Sequence, residues 1–107
     1  MGLQIFGRSK CFDTKKAERF FKERRIKYQY IDLDRFGISR GELTSVINAV
    51  GGWENVVKDT SELQYFSRDA IVTTLCDQPE LLKTPIVRNG KRASVGFDAE
   101  KWKELAE

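Results

Sequence analysis

The spacing of apolar residues in the first third of the chain predicts a strand, a helix and a second strand. Residues 3–6 form a short apolar run that is typical of a buried strand. From about residue 10 to residue 25, Ala17, Phe20 and Phe21 follow helical spacing, and lysine and glutamate fill the other face. Residues 26–33 then alternate with period two, which favours another strand.

The middle of the chain predicts a series of helices. Ser39 is followed three residues later by Glu42, which is the signature of a capping box. The predicted helix has one apolar stripe, which consists of Leu43, Val46, Ile47 and Val50. It is expected to end at Gly51 and Gly52. Residues 53–57 predict a further short helix, and residues 71–76 predict another that stops near Pro79.

The last third predicts a hairpin and a final helix. Asn89-Gly90 separates the β-like runs 86–87 and 93–95, which predicts a two-residue type I′ turn. The final helix is expected from about residue 98 to residue 106, with Asp98 as its N-cap. The order of elements predicts an α/β fold, in which a right-handed βαβ unit with parallel strands is extended by the antiparallel hairpin.

Length and composition predict one globular domain over residues 1–107. Hydrophobic residues make up 40% of the 107 residues and charged residues 33%. A chain of this size buries enough surface to be stable without disulfides or metals, so its two cysteines are not required as staples. We find no secretory leader and no apolar stretch of membrane-spanning length, so we expect a cytoplasmic protein that is not associated with a membrane.

Charge and the absence of histidine narrow the chemistry. The 19 basic and 16 acidic residues are mixed along the chain and give a net charge of +3, so we expect no direct binding of nucleic acid. The chain has no histidine, which excludes Cys/His and Ser/His nucleophile pairs and histidine metal sites. We therefore expect no metal site, and chemistry that relies on a thiol or no chemistry at all.

Cys11 is the candidate nucleophile. It ends the polar run Arg-Ser-Lys-Cys at the predicted start of the first helix, where free N–H groups and the helix dipole favour an anion. The nearby cations, which also favour a thiolate at Cys11, are Arg8, Lys10, Lys15 and Lys16. The alternative is that Cys11 is a small buried side chain at a helix end with no chemical role. The polar run before it argues against this alternative.

Three stretches together resemble the arsenate reductase and Spx-like branch of the glutaredoxin-like thioredoxin fold. They are CFDTKKAERFFKERRIKYQYID, INAVGGWENVVK and PELLKTPIVRNGKRASVGFD, in the order and spacing of that family. The resemblance implies a thioredoxin-like fold with a helical insert at about residues 39–82. It also implies that Cys11 is a catalytic nucleophile.

The resemblance further implies a monothiol site that needs a second thiol from outside. Thr14 occupies the place where dithiol relatives carry a second cysteine. An oxidised Cys11 must then be resolved by glutathione, by a glutaredoxin or by Cys76. The apolar stripe around Cys76 favours a buried and inert thiol over a resolving one. In the family the proline that matches Pro85 is cis, and the preceding residue, here Thr84, offers backbone groups to a thiol ligand.

The expected site therefore comprises two sets of residues beside Cys11. We expect glutathione to act as a co-substrate rather than as a bound cofactor. The residues expected to bind it are Lys10, Thr14, Thr84 and Pro85. Those expected to bind a substrate anion are Arg8, Lys15, Lys58 and Arg88.

Two departures from the family bear on the substrate. Arsenate-reducing relatives carry arginines where this chain is expected to have Thr84 and Asp59. Lysines such as Lys58 and Lys83 supply charge but not the bidentate geometry of a guanidinium, so we expect arsenate to be a poor substrate.

Three functions remain open at this point. The first is an arsenate reductase-like thiol oxidoreductase that depends on glutathione or glutaredoxin. The second is an Spx-like redox-sensitive regulator that binds RNA polymerase. The third is a degenerate member of the family without catalytic activity.

Overall fold

A four-stranded mixed sheet lies at the centre of the computed structural model, which describes residues 2–106. Its strands are β1 (Leu3–Gly7), β2 (Tyr28–Asp32), β3 (Ile86–Asn89) and β4 (Arg92–Val95), in the spatial order β2-β1-β3-β4. β1 is parallel to β2 and antiparallel to β3, and β3 is antiparallel to β4. The predicted pair of parallel strands extended by an antiparallel hairpin is confirmed.

Within residues 2–106, five α-helices pack around the sheet. They are α1 (Phe12–Glu23), α2 (Leu33–Phe36), α3 (Arg40–Val50), α4 (Arg68–Asp77) and α5 (Ala99–Ala106). Single 3₁₀ turns occur at Trp53–Asn55, Leu63–Tyr65 and Pro79–Leu81. Since α3 and α4 lie between β2 and β3 and within residues 39–82, the predicted helical insert is confirmed, and α2 precedes it.

The predicted helix caps form because short polar side chains satisfy free N–H groups. Ser39 Oγ accepts a hydrogen bond from the Glu42 N–H, and the Glu42 carboxylate accepts one from the Ser39 N–H, which completes the capping box of α3. Asp98 likewise accepts a hydrogen bond from the N–H of Lys101 at the start of α5. Both starts were predictable because they depend on local chemistry.

The hairpin turn differs from the prediction by one residue. Asn89 pairs with Arg92, so the two turn residues are Gly90 and Lys91 rather than Asn89 and Gly90. Gly90 has a φ of 65°, and Lys91 is not among the residues with positive φ. This pattern fits a type II′ turn, which requires positive φ only at its first central residue, so the type I′ prediction is wrong.

Two other boundaries also differ from the predicted elements. Residues 53–57 do not form a helix beyond the single 3₁₀ turn Trp53–Asn55, because Val57 pairs with Leu82 in an isolated antiparallel bridge. Leu33 begins α2 instead of ending β2. The first difference depends on a partner that is distant in the sequence. The second depends on a helix cap, because the Asp32 carboxylate accepts a hydrogen bond from the Asp34 N–H.

Apolar side chains fill both faces of the sheet. Because successive side chains of a strand point to opposite faces, Ile5 and Phe6 of β1 enter different clusters. The smaller cluster, between the sheet and helices α1 and α5, contains Leu3, Ile5, Ala17, Phe21, Val87, Trp102 and Leu105. The larger cluster joins the sheet to the insert. The two faces therefore hold the end of β1 firmly where the chain leaves the sheet.

A close backbone contact fixes the geometry at that end of β1. Gly7 is buried, and a Cβ added to it would lie 2.3 Å from Cγ2 and 2.8 Å from Oγ1 of Thr14. Thr14 is itself 1% exposed, so its side chain has no free space to move into. Only glycine allows the first turn of α1 to pack this tightly against the strand.

We predict that Gly7→Ala lowers the free energy of unfolding by about 1–3 kcal/mol, because the added methyl group overpacks the contact with Thr14. A second change, Thr14→Ala, should recover much of the loss, since the nearest remaining atom, Thr14 Cβ, would lie 3.1 Å away. Urea unfolding of the variants measures both effects.

Gly41→Ala is the matched control. A Cβ at Gly41 meets nothing within 4 Å, so this change in α3 should be neutral or stabilise by up to about 1 kcal/mol. Equal losses for Gly7→Ala and Gly41→Ala would contradict the proposed packing constraint.

Candidate active site

Cys11 lies where the chain enters α1 from β1. It is the N-cap of α1, with extended backbone angles (φ −90°, ψ 117°), and no side chain caps the helix there. The sulfur is therefore beside the free N–H groups of the first helical turn, which favour negative charge. Cys11 is half-buried, so it is held in place and still accessible.

Cys11 opens into a cleft of about 440 Å³ between the start of α1, the insert and the end of β4. The residues that line it are Arg8, Lys10, Cys11, Asp13, Lys58, Lys83, Thr84 and Gly96. Four of the predicted site residues are thus brought to the thiol from three separate parts of the chain.

Thr84 faces the sulfur directly. The Thr84–Pro85 peptide bond is cis, as expected. The Cys11 thiol donates a hydrogen bond to the Thr84 carbonyl oxygen, with Sγ 3.7 Å away. Pro85 itself is buried beneath this contact and does not line the cleft.

Hydrogen bonds tune the thiol toward its charged form. Partial burial alone would raise the pKa of Cys11, but the hydrogen bonds to its sulfur together outweigh it, and those from the side chains of Thr14 and Thr84 are the largest of them. Backbone N–H groups of Thr14 and Asp13 add to the effect, so the pKa of Cys11 lies below its ordinary value. Thr14 therefore acts on the sulfur from within the protein, although it does not line the cleft.

Cys76 has the opposite environment. Burial raises the pKa of the Cys76 thiol, and this effect exceeds the lowering by the nearby guanidinium of Arg40. Cys76 packs against the larger core cluster from α4 and does not line the Cys11 cleft. Both cysteines are free thiols and both are half-buried, so the expected full burial of Cys76 is not observed.

Arg8 lines the cleft, but its guanidinium is already engaged. Nε donates to Asp34 Oδ1 at 3.0 Å, in an ion pair whose Arg8 side chain is only 13% exposed. Nη1 donates to the Leu82 carbonyl at 3.0 Å, and Nη2 donates to the Pro79 carbonyl. Arg8 thus ties the end of β1 to α2 and to the segment that leads into Thr84, instead of offering a free fork to an anion.

Three exposed lysines supply the remaining positive charge of the cleft. Within residues 2–106, the side chains of Lys10, Lys58 and Lys83 take part in no ion pair or hydrogen bond. Asp13 is the one carboxylate among the lining residues that the structure describes, and it lies 3.9 Å from Lys16 Nζ. The cleft is therefore positively charged, and its free charges are carried by flexible lysine side chains.

Three expected positions are corrected by the structure. Arg88 is not near the thiol, because it pairs with Gln4 in the sheet and donates to the Gln4 side chain at 2.7 Å in a separate cavity. Asp59 accepts hydrogen bonds from Ser61 and lines another cavity, so its carboxylate is not in the cleft. Lys15 lies with its Nζ 5.8 Å from the Phe12 ring centre, outside the cleft lining.

Sequence reasoning missed two residues of the site. Asp13 and Gly96 line the cleft, and neither belongs to a motif that would single it out. Asp34, which orients Arg8, was also missed, because only the pairing of β1 with β2 brings residues 8 and 34 together.

Residues 2–106 contain neither a candidate metal site nor a candidate membrane span. No group of three or more cysteine and carboxylate side chains there could hold a metal ion. No helix in the same range has both the length and the apolar character that crossing a bilayer requires.

Fold and site together define a thioredoxin-like protein with one accessible cysteine at a helix start, facing the residue before a cis proline. The model of the ArsC family matches residues 6–105. The chain therefore belongs to the ArsC family.

Relatives span both branches that the sequence suggested. The chain is 27% identical over 106 residues to the global transcriptional regulator Spx 2 of Oceanobacillus iheyensis, covering 91% of this chain and 78% of that protein. It is 22% identical over 107 residues to Spx of Streptococcus pyogenes, covering 92% and 80%. The arsenate reductase structure from Vibrio cholerae is similar with a TM-score of 0.84 at 23% identity, covering 98% of each chain, which shows a shared fold. The resemblance to arsenate reductases and Spx is confirmed.

We predict that the two cysteines differ in their alkylation by iodoacetamide as pH rises. Because the thiolate reacts, a lowered pKa moves the rate profile of Cys11 to lower pH than that of an ordinary thiol, and a raised pKa moves that of Cys76 to higher pH. The single-cysteine variants Cys76→Ser and Cys11→Ser allow each profile to be measured separately.

Thr14→Val tests the cause of the shift. It keeps the shape of the buried side chain but removes the hydroxyl, so the Cys11 profile should move to higher pH. Identical profiles for the two cysteines would refute the assignment of Cys11 as the activated thiol.

Proposed function

We propose that this chain is a thiol-dependent redox protein in which Cys11 is the single nucleophile and an outside thiol, glutathione or a glutaredoxin, resolves the product. One observation carries the proposal: the Cys11 sulfur lies in an open, positive cleft at a helix start, with its pKa lowered by hydrogen bonds. Membership of the ArsC family supports it.

The chemistry follows from the groups around the sulfur. The Cys11 thiolate attacks a sulfur of an oxidised substrate, a new S–S bond forms, and the leaving sulfur departs with the electron pair of the broken bond. The free N–H groups of α1 stabilise the thiolate before attack. A second thiolate then attacks the partner sulfur of the mixed disulfide and forms a new S–S bond with it, and Cys11 leaves as a thiolate with the electron pair of the broken bond.

The second thiol comes from outside because the fold keeps Cys76 away from the cleft lining. Thr14 replaces the second cysteine of a dithiol motif, and it is buried under Gly7. Lys10, Lys58 and Lys83 offer charge for the carboxylates of glutathione.

We predict that treatment with oxidised glutathione gives one glutathione adduct, on Cys11, because the lowered pKa makes this thiol the better nucleophile at neutral pH. Peptide mass spectrometry locates the adduct. Cys11→Ser should give none, and the control Cys76→Ser should keep it. A Cys11–Cys76 disulfide as the main product would instead make Cys76 the resolving thiol.

A second candidate is a redox-sensitive regulator that binds RNA polymerase, and the similarity to Spx 2 favours it. Both candidates use Cys11, but only the first needs turnover. Retention of the chain by immobilised RNA polymerase, together with no catalysed thiol exchange in the presence of glutathione and glutaredoxin, would select the regulator. Turnover without retention would select the enzyme.

Arsenate is a weak fit to this cleft. The residue before Pro85 is Thr84, and the guanidinium of Arg8 is committed to Asp34 and to two carbonyl groups. The remaining cations are lysines, which neutralise an oxyanion without a fixed bidentate geometry. Attack of a thiolate on a multiply charged anion needs such fixed donors.

We predict that the protein reduces arsenate poorly and that Thr84→Arg with Lys58→Arg raises its apparent affinity for arsenate by about tenfold or more, as charge-assisted hydrogen bonds of about 1.5–3 kcal/mol allow. Steady-state kinetics with glutathione and glutaredoxin measure the change. The control is Asp59→Arg, which adds positive charge outside the cleft and should have no effect. Efficient arsenate reduction by the unmodified protein would contradict this account of the anion site.

A further inference from the structure

Two exposed phenylalanines directly follow, in the chain, residues that line the thiol cleft, and we call Phe12 and Phe97 the aromatic rim. Phe12 follows Cys11 in the chain and is 77% exposed. Phe97 follows Gly96, which lines the cleft, and is 55% exposed. One exposed phenylalanine is ordinary, but two that each follow a residue of the cleft lining in the chain offer exposed apolar side chains next to a reactive site.

The aromatic rim is supported by packing and by cations. The Phe97 ring packs edge-on against the buried Trp102, with ring centres 5.0 Å apart. Lys16 Nζ lies 5.3 Å from the centre of the Phe97 ring, and Lys15 Nζ lies 5.8 Å from that of Phe12. The rings are thus positioned at the surface and accompanied by positive charge.

The charge of the cleft indicates the character of the partner. Lys10, Lys58 and Lys83 make no ion pair or hydrogen bond through their side chains within the range 2–106. Against these three cations the cleft lining has Asp13, which already lies near Lys16. A partner with carboxylates near its sulfur would complement this surface.

We infer that the oxidised substrate is a polypeptide, in which a disulfide-bonded cysteine is flanked by an apolar side chain for the aromatic rim and by acidic residues for the cleft lysines. The inference rests on the proposed function and names its substrate class. The Cys11 thiolate forms an S–S bond to the partner cysteine, and the sulfur that had been bonded to that cysteine leaves with the electron pair and takes a proton from water. A small-molecule disulfide has no apolar side chain that could pack against the rings of the aromatic rim.

The test uses three disulfides with the same 2-pyridyl leaving group, so that release of 2-thiopyridone reports each rate. One is a peptide with leucine beside its cysteine and aspartate and glutamate around them. The second peptide replaces the acidic residues by lysine. The third probe is the neutral 2-hydroxyethyl 2-pyridyl disulfide. Cys76→Ser is the background, so that only Cys11 reacts.

At low salt we expect the acidic peptide to react about tenfold faster than the basic peptide, since complementary charge raises the rate of encounter. Phe12→Ser and Phe97→Ser should each slow the acidic peptide about fivefold, because the apolar contact is lost, and leave the small disulfide unchanged. Phe97→Leu, which keeps an apolar side chain against Trp102, should be slowed less than Phe97→Ser. The control is Tyr65→Ser, which removes an 84% exposed ring outside the cleft and should change no rate.

Three results would overturn the inference. Equal effects of Phe12→Ser on the peptide and on the small disulfide would show that the aromatic rim does not dock the partner, while the proposed function stands. A wild-type dimer that Phe12→Ser converts to a monomer, measured by sedimentation, would assign the rim to a second copy of the chain. Failure of Cys11 to react with any probe would refute the proposed function as well.

Discussion

The guanidinium of Arg8 connects the parts of the protein on which the cleft depends. It joins the end of β1 to Asp34 at α2 and to the carbonyls of Pro79 and Leu82, which precede Thr84 in the chain. Because the Thr84 carbonyl lies 3.7 Å from the Cys11 sulfur, the same tie sets the opposite wall of the cleft. A charged group with three partners and little exposure resists displacement, since unpaired buried donors are costly.

The use of Arg8 as a tie also shapes the chemistry that the cleft can support. Because the donors of Arg8 are used in hydrogen bonds within the fold, they cannot also bind an oxyanion. The free positive charges of the cleft are therefore those of lysines. Mobile lysines and exposed rings suit an extended, variable partner more than a compact tetrahedral anion. The thiol itself needs none of them, because Thr14, Thr84 and the start of α1 lower its pKa.

Predictions from the sequence succeeded where the causes are local. The capping box at Ser39 and the cap at Asp98 form as expected, because a side chain bonds to N–H groups within three residues of it. The hairpin was predicted but its turn type was wrong, since the pairing of Asn89 with Arg92 is decided by the register of β3 on β4. The register of β3 on β1 places Arg88 beside Gln4 and away from Cys11.

The sequence by itself determined the α/β order of elements and the position of Cys11 at a helix start, because both follow from periodicity and local capping. Only the tertiary structure decided which charges share a cleft with the sulfur. Lys58 is in it and its neighbour Asp59 is not, since the direction of each side chain depends on how the insert packs against the sheet. Contacts between residues far apart in the chain, such as Arg8 with Leu82, carry no local signal, so no pattern of neighbouring residues reveals them.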